Sequence, residues 1–600
     1  MSRPGLRNSK TIAELFYQRV QATPECIAYE YQVGETWNAV TQQGYGDSVA
    51  RAAAGFRALG LKPGDRVAMW GDTMPEWTIL DLGALTAGGC IAGIYQTNTP
   101  EQAAFIMSDC QAKVLCVDTV ERLELALAIR KDTPSVTQYI LWSDEPYGHD
   151  DVVSMTRVLE MGKAALESGA ASWKALVDAV SPDMFAVLVY TSGTTGNPKG
   201  VILSHENCVY NCRSIMEGQD FVEGVDSTIA FLPMSHVAEH TCNFFGRIYA
   251  GITAYFCPDM LKVGAVMKEK SPTMFVGVPR VYEKIHRRIL SAVDQAPPNK
   301  QRLFHWALSA GRQMADFNAK KVNPGPMFRL QHSVADRLVL SKIRAQLGGK
   351  IRVLTSGAAP IDVEIIHFFR SLGIAFIEVY GLSECGGVSH ANRAEAFKVG
   401  TVGRVVDGME CKIAPDGEVL LRSKSVFQGY LNCPDATGEA KDGEGWLHTG
   451  DIGEVDEEGY LRITDRKKNL LITAGGKNVA PANIEILIKR EPLVSQVVVL
   501  GDAKPYLVAL ITLAAEIVEA EGLSDTAIDR RIAQAVEEAN KHLARYEQIK
   551  RYRVLDREFS IETGEMTPTM KIKRNVVVQN HKPIVDALYN APEEVRDAIG

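Results

Sequence analysis

Two apolar runs of strand length, Met184 to Val189 and Val201 to Leu203, are held apart by Tyr190-Thr-Ser-Gly-Thr-Thr-Gly-Asn-Pro-Lys-Gly200. This stretch constrains the chain more than any other. Gly193, Gly196 and Gly200 let backbone N–H groups turn inward toward an anion. The hydroxyls of Thr191, Ser192, Thr194 and Thr195 add further donors, and Lys199 adds a point charge. Such a loop suits a polyphosphate. It is not a Walker A loop, because Pro198 precedes the lysine and Gly200 follows it. A plain surface turn is the duller reading; the hydroxyl density and the Pro-Lys-Gly ending argue against it.

The chain around this loop is long enough for several cores: 600 residues, 46% apolar and 23% charged. A net charge of −8 gives no nucleic-acid footprint. The 11 cysteines are scattered without a Cys-x-x-Cys pair, which reads as reduced thiols and not as a disulfide frame or zinc ribbon. No apolar h-region and no bilayer-length apolar stretch is found, so a cytoplasmic setting is expected, with any membrane contact peripheral. The longest uncharged apolar stretch, Leu82 to Tyr95, is rich in Gly and Ala and is expected to be a close-packed helix.

Along the chain, helix and strand signals alternate. Thr11-x-x-Glu14 is a capping-box pattern ahead of Leu15, Phe16 and Val20. Residues 47–60 read as a helix ending at Gly60, followed by the turn 62–65 and a strand Arg66 to Trp70. The alternation predicts doubly wound α/β subdomains. Residues 144–182 are more polar and read as a surface connection. Strands are expected at Thr228–Pro233, Thr273–Val278, Ile351–Leu354 and Ile374–Val379. The last two end in Thr355-Ser-Gly357-Ala358-Ala-Pro360 and Tyr380-Gly381-Leu-Ser383-Glu384, which suit a nucleotide at the carboxyl edge of a parallel sheet. The helical stretch 290–345 carries many Lys and Arg; it reads as a solvated face, with a membrane-facing basic surface as the alternative.

His236-Val-Ala-Glu239-His240 fits a His-x-x-Glu-His zinc pattern. No third ligand is identifiable, and a strand-end histidine at the mouth of a pocket explains His236 as well. After residue 400, short strands punctuated by Asp-Gly turns predict a small β-barrel-like subdomain. Thr464-Asp-Arg-Lys-Lys468 reads as a charged linker into a small α+β unit. In that unit Asp525 is expected to cap a helix with Ile528, Ile532, Val536 and Ala539 on one face.

Taken together, the 190–200 loop, Tyr380-Gly-Leu-Ser-Glu384, Thr449-Gly-Asp451 and Asp465-Arg466 resemble, in order, the motifs of the adenylate-forming superfamily. Its members include acyl-CoA synthetases, firefly luciferase and peptide-synthetase adenylation domains. Val278-Pro-Arg-Val-Tyr-Glu-Lys284, Thr464–Lys468 with Gly475-Gly-Lys-Asn478, and Thr567-Pro-Thr-Met-Lys571 are more narrowly similar to long-chain fatty-acyl-CoA synthetases, above all actinobacterial ones. His240 departs from the pattern, since related sequences often carry Arg there.

The resemblance implies a large N-terminal domain over 1–466 and a small mobile α+β C-terminal domain over 467–600, hinged near Lys468. It implies a ligase that joins a fatty acid to ATP, releasing pyrophosphate, and passes the acyl group to coenzyme A. Thr191, Ser192, Gly193, Thr194, Thr195, Gly196 and Lys199 would hold phosphates. Glu384 would bind Mg²⁺. Gly357, Ala358, Glu378, Val379, Tyr380 and Gly381 would surround adenine, and Ser383 would approach the α-phosphate. Asp451 and Arg466 would take the ribose and phosphate. His236 would stand by the carboxylate, Lys571 would be the catalytic cation, with Lys573 two residues away, and Gly475 and Gly476 would flank the coenzyme A path. An apolar acyl pocket is expected near Phe231, Phe244, Phe245, Phe275, Val276 and Val278. The partners implied are fatty acid, ATP and coenzyme A, without nucleic acid. Oligomeric state stays open, a homodimer being one option. The competing readings are an acyl-AMP ligase that loads a carrier protein, and a catalytically silent nucleotide-binding protein.

Overall fold

The computed structural model describes residues 4–143, 147–191, 198–474, 477–567 and 571–590. The largest sheet has eight strands. From one edge they run Gly429–Tyr430, Lys199–Ser204, Phe185–Thr191, Cys90–Ile94, Arg66–Trp70, Ala112–Val117, Gln138–Leu141 and Val152–Ser154. The last six are mutually parallel. Lys199–Ser204 returns antiparallel beside Phe185–Thr191, and Gly429–Tyr430 closes that edge. Side chains alternate between two cores, as the period of two in a strand requires. Val67 and Met69 join the core that holds the helices Gln42–Ala58 and Pro75–Thr86; Ala68 and Trp70 join the core of the helix Pro100–Asp109. Helices thus cover both faces, which is what lets the parallel strands be apolar throughout.

A second sheet has Met274–Gly277, Val353–Ser356 and Ala375–Tyr380 in parallel, followed by the antiparallel pieces His390–Ala391 and Arg404–Val405. A third joins Ser227–Ala230, Thr253–Phe256, Ile27–Val33 and Thr36–Thr41. The β-rich region after residue 400 is a four-stranded antiparallel sheet, Glu410–Ile413, Glu418–Arg422, Leu447–Val455 and Leu461–Arg466. Beyond it, residues 471–588 build cores of their own around the three strands Val494–Leu500, Leu507–Leu513 and Ile549–Leu555.

Several local expectations need correction. Leu82 to Tyr95 is not one helix. The helix Pro75–Thr86 stops, Gly88 turns with φ +86°, and Cys90–Ile94 is a strand. Gly88 and Gly89 supply a turn where composition suggested only close packing. The capping box at Thr11 is half made: Thr11 accepts from the Glu14 N–H, but the Glu14 carboxylate takes the N–H of Lys10. Thr464 to Arg466 are not linker but the end of the strand Leu461–Arg466, paired to Leu447–Val455. The long helix Asp525–Lys541 buries the four apolar residues expected, yet its cap is Ser524, whose hydroxyl accepts from the Ala527 N–H.

The stretch 144–182 is more than a connection. It adds the edge strand Val152–Ser154 and the helix Met155–Glu167, which packs on Gln42–Ala58. The two helices meet through glycines. A Cβ on Gly162 would lie 1.8 Å from the Arg51 carbonyl oxygen, and one on Gly55 2.2 Å from that of Val158. Gly162→Ala must push the helices apart, costing about 1–3 kcal/mol or more. Thermal unfolding should therefore begin several degrees lower; an unchanged melting temperature would contradict this contact.

Candidate active site

Several candidate residues stand at the carboxyl ends of parallel strands: Thr191 closes Phe185–Thr191, Gly357 and Ala358 follow Val353–Ser356, and Glu378, Val379 and Tyr380 end Ala375–Tyr380. Ser192, Gly193, Thr194, Thr195, Gly196, Gly475 and Gly476 fall outside the described residues. The loop's two stems are inside them. Thr191 ends one strand and Lys199 opens the next, directly opposite each other. Tyr190 at the loop's root is anchored in the sheet: its hydroxyl donates to Asp109 at 2.7 Å and its ring packs on Gly200.

Tyr430, which sequence reasoning missed, ties the loop to the metal candidate. Its edge strand pairs with the strand after the loop. Its ring lies 5.2 Å from the Lys199 ammonium, within cation–π range. Its hydroxyl donates to Glu384 at 2.8 Å. Burial and the Glu384 charge push the Tyr430 phenol up, so it stays a donor at neutral pH. Only the pairing across the sheet edge brings these three together; no local pattern in the sequence marks Tyr430.

Glu384 sits in the single turn Ser383–Cys385 that follows the strand Ala375–Tyr380. The turn is sharp because Gly381 is. A Cβ there would meet the Gly387 carbonyl oxygen at 1.7 Å. Gly357 is likewise needed, since a Cβ would meet Val379 at 2.7 Å. Next to it, Ala358 holds φ +71°, a left-handed conformation that costs an L-residue about 1 kcal/mol or more. Ser383 is buried and Glu378 half-buried. Burial pushes the Glu378 carboxyl up to about 8, so it is protonated at neutral pH and can donate.

Asp451 organises the opposite wall. It is buried, accepts from the Tyr380 hydroxyl at 2.6 Å, and pairs with Arg466 Nε at 3.0 Å across two antiparallel strands. Tyr380 therefore stands edge-on to Asp451. Burial and then the Asp451 charge push its phenol up. Lys468, two residues past the strand end, is exposed.

Lys571 reaches this site from the C-terminal unit. Its ammonium is lowered to about 8, by burial first and then by the Arg466 charge, against the opposing pull of Asp451 and Glu384. It also presses on His236, which burial and then the Lys571 charge push down to about 3. His236 Nδ1 accepts from the Ala238 N–H at 3.2 Å, which assigns the proton to Nε2. Lys573 occupies the N-cap position of the helix Arg574–Asn580 and makes no side-chain cap bond there. Ion pairs between the two parts of the chain include Lys489–Glu283 at 2.7 Å, Arg490–Asp362 at 2.8 Å, Arg280–Glu558 at 2.7 Å and Arg287–Glu516 at 4.0 Å.

Beneath His236 lies a cavity of about 170 Å³, lined mainly by aliphatic side chains. It runs along one face of the second sheet. Val278, Val276 and Met274 follow at two-residue steps, with Thr355 and Val353, then Val379 and Ile377, beside them. Ala238, Cys242 and Asn243 form the facing wall, and His236, Gly357, Ala358 and Gly381 surround the mouth. Val276 and Val278 line it as expected. Phe231 and Phe275 do not; they stack 5.2 Å apart in the core behind the sheet. Phe244 and Phe245 also pack in a core.

The histidines of the zinc pattern are engaged elsewhere. The helix Ala238–Phe244 is a π-helix, and His240 Nε2 lies 2.9 Å from the buried Asp81 carboxylate. Glu239 pairs with Arg247 at 2.7 Å. No cluster of three or more metal-ligating side chains occurs among the described residues.

A family description, AMP-binding enzyme, matches residues 16–431, and that of the AMP-binding enzyme C-terminal domain matches residues 468–593. The chain belongs to the AMP-binding enzyme family. Among its relatives, the long-chain-fatty-acid–CoA ligase FadD15 of Mycobacterium bovis is 34% identical over 96% of this chain and 97% of its own length. The human long-chain-fatty-acid–CoA ligase ACSBG1 is 35% identical over 96% of this chain and 85% of its own. Among solved structures, a Mycobacterium tuberculosis fatty acyl CoA synthetase has a TM-score of 0.61 and 26% identity, covering 96% of this chain and 99% of that one. The adenylation domain of a carboxylate reductase from Mycobacterium chelonae aligns with a TM-score of 0.77 at 22% identity, covering 98% and 92%. The AMP-binding fold thus extends over nearly the whole chain, as a large N-terminal and a smaller C-terminal part.

Proposed function

We propose that this AMP-binding enzyme is a long-chain fatty acid–CoA ligase. It forms an acyl-adenylate from a fatty acid and ATP, releases pyrophosphate, and then transfers the acyl group to the thiol of coenzyme A with loss of AMP. The observation that carries the reading is the meeting of Lys571, from the C-terminal unit, with Glu384, Asp451 and Arg466 above an apolar cavity.

In the first step one anion attacks another, so positive charge must be placed around the α-phosphate. Lys571 and Arg466 supply it. Lys199 and the 192–196 loop grip the β- and γ-phosphates. Asp451 accepts from the ribose hydroxyls while holding Tyr380 against the adenine, and protonated Glu378 donates nearby. Ser383 approaches the α-phosphate. His236, neutral with its proton on Nε2, donates toward the fatty carboxylate at the cavity mouth. The donor set suits Mg²⁺, which uses one or two carboxylates plus phosphate oxygens: Glu384 is a lone carboxylate whose orientation Tyr430 fixes. When bound, Mg²⁺ would neutralise phosphate charge.

The second step needs Lys571 gone and the thiol admitted. A rotation of residues 467–600 about Lys468 would do this, bringing Gly475 and Gly476 to the coenzyme A path. Among the described residues no helix is long and apolar enough to cross a membrane; peripheral contact with a bilayer would accompany a fatty substrate.

The deciding assay is ATP–pyrophosphate exchange with palmitate, then thioester formation on adding coenzyme A. We expect both. No exchange would refute the ligase reading, and exchange without thioester would make the chain an acyl-AMP ligase.

A further inference from the structure

The helix Pro326–Ala335 and the π-turn Asp336–Leu340 continue one another, and together they leave an apolar stripe in water. Met327 is 81% exposed and Leu330 65%, and Val334 and Leu338 follow at 42% and 44%. Steps of three, four and four residues keep all four on one side of the rod, along about 16 Å. The opposite side is where the segment packs: Ala335 and Leu340 are buried against the helix Pro298–Ala319 and its neighbours. Val322, in the turn before the helix, is also exposed at 51%. Isolated exposed apolar residues need no explanation, but a contiguous stripe does.

Cations frame the stripe. Lys320, Lys321, Arg329, Arg337 and Lys342 are all exposed. Between residues 320 and 342 the only acidic residue is Asp336, and it is held by Arg344 at 2.6 Å. This segment is strongly basic in a chain whose net charge is −8. An apolar stripe flanked by Lys and Arg is the pattern of a helix lying in the plane of a membrane surface, its aliphatic side chains among the acyl chains and its cations at anionic headgroups. A second copy of the chain fits less well, because apposing two such stripes would bring two rows of like charge together.

We propose that residues 320–342 dock this protein on an anionic bilayer, with Met327, Leu330, Val334 and Leu338 inserted. The proposal rests on the fatty-acid reading only for its purpose, since a ligase of lipid substrates gains from working where they collect. Docking itself is measured without substrate.

The test is flotation of the full-length protein with vesicles of phosphatidylcholine alone, or mixed with phosphatidylglycerol, at low and high salt. The expected result is binding to the mixed vesicles that weakens with salt. Met327→Asp with Leu330→Asp should lower that binding at least tenfold. Lys321→Glu with Arg329→Glu and Arg337→Glu should abolish the preference for anionic lipid. Both variants should keep wild-type ATP–pyrophosphate exchange on octanoate without vesicles, which shows them folded. Failure of the wild type to float, equal binding to both vesicle types, or unchanged binding by the aspartate variant would overturn the proposal. So would a vesicle-free dimer that the aspartate variant dissolves, which assigns the stripe to a second copy. Exchange absent in the wild type with palmitate as well as octanoate, while docking persists, would sink the ligase reading and leave the surface standing.

Discussion

Lys571→Ala should all but abolish fatty-acid-dependent ATP–pyrophosphate exchange, by about 10²–10³-fold, yet largely spare the conversion of supplied acyl-AMP to acyl-CoA. The first step brings two anions together and needs the cation, and one preorganised charge of this kind contributes about 3–4 kcal/mol. The second step runs with that cation withdrawn. Equal loss in the two half-reactions would refute the division of labour. The pH profile gives an independent reading. Burial and Arg466 hold Lys571 near 8, below the ordinary lysine value. Its charged form is therefore nearly complete a unit or more below that value and is lost as pH rises through it. The kcat/KM for exchange, which reports the free enzyme, should fall across that range. Lys571→Arg should move the fall to higher pH whatever it does to the rate, because a guanidinium does not deprotonate there. A fall at the same pH in both proteins would assign the titration to another group.

Glu384→Gln should lower exchange by about 10²–10³-fold, the cost of losing one electrostatic element of a phosphoryl site, and should raise the Mg²⁺ concentration needed for half-maximal rate. Removing Mg²⁺ with a chelator should stop exchange in the wild type. Tyr430→Phe separates binding from positioning. It deletes one hydrogen bond to Glu384, worth about 1.5–3 kcal/mol for a charged acceptor, so the rate should fall by about tenfold to a hundredfold. Its Mg²⁺ requirement should rise in parallel. If Tyr430→Phe matched Glu384→Gln in severity, the tyrosine would be acting on substrate directly.

The two effects differ in how they could have been foreseen. Glu384, Asp451, Arg466 and Lys571 stand in ordered motifs, and each is a residue type that the chemistry demands. Tyr430 stands in no such motif. It matters because a two-residue edge strand pairs with the strand after the phosphate loop, a contact between segments more than two hundred residues apart. The apolar cavity beside His236 was legible in the same partial way. Val276 and Val278 line it because they alternate on the inner face of a strand, whereas Phe231 and Phe275, equally apolar, face a core behind the sheet. Composition cannot say which face of a strand meets a cavity.

His236 and His240 make the same point. The spacing allowed both to share a metal. The π-helix turns His240 to Asp81 and leaves His236 at the cavity mouth beside Lys571. Likewise the polar texture of 144–182 suggested a connection, but glycines at 55 and 162 let a helix there pack backbone to backbone.

What the sequence by itself determined was the family, the order of the motifs and the chemistry of their residues, because loop composition, strand alternation and charged residue types are local properties. The tertiary structure alone decided the rest. It brought Lys571 within electrostatic reach of Arg466 and Asp451, set Tyr430 between Lys199 and Glu384, and left Met327, Leu330, Val334 and Leu338 exposed on one face of residues 320–342. Each of these depends on how distant segments pack, and on the burial and charge they impose on one another.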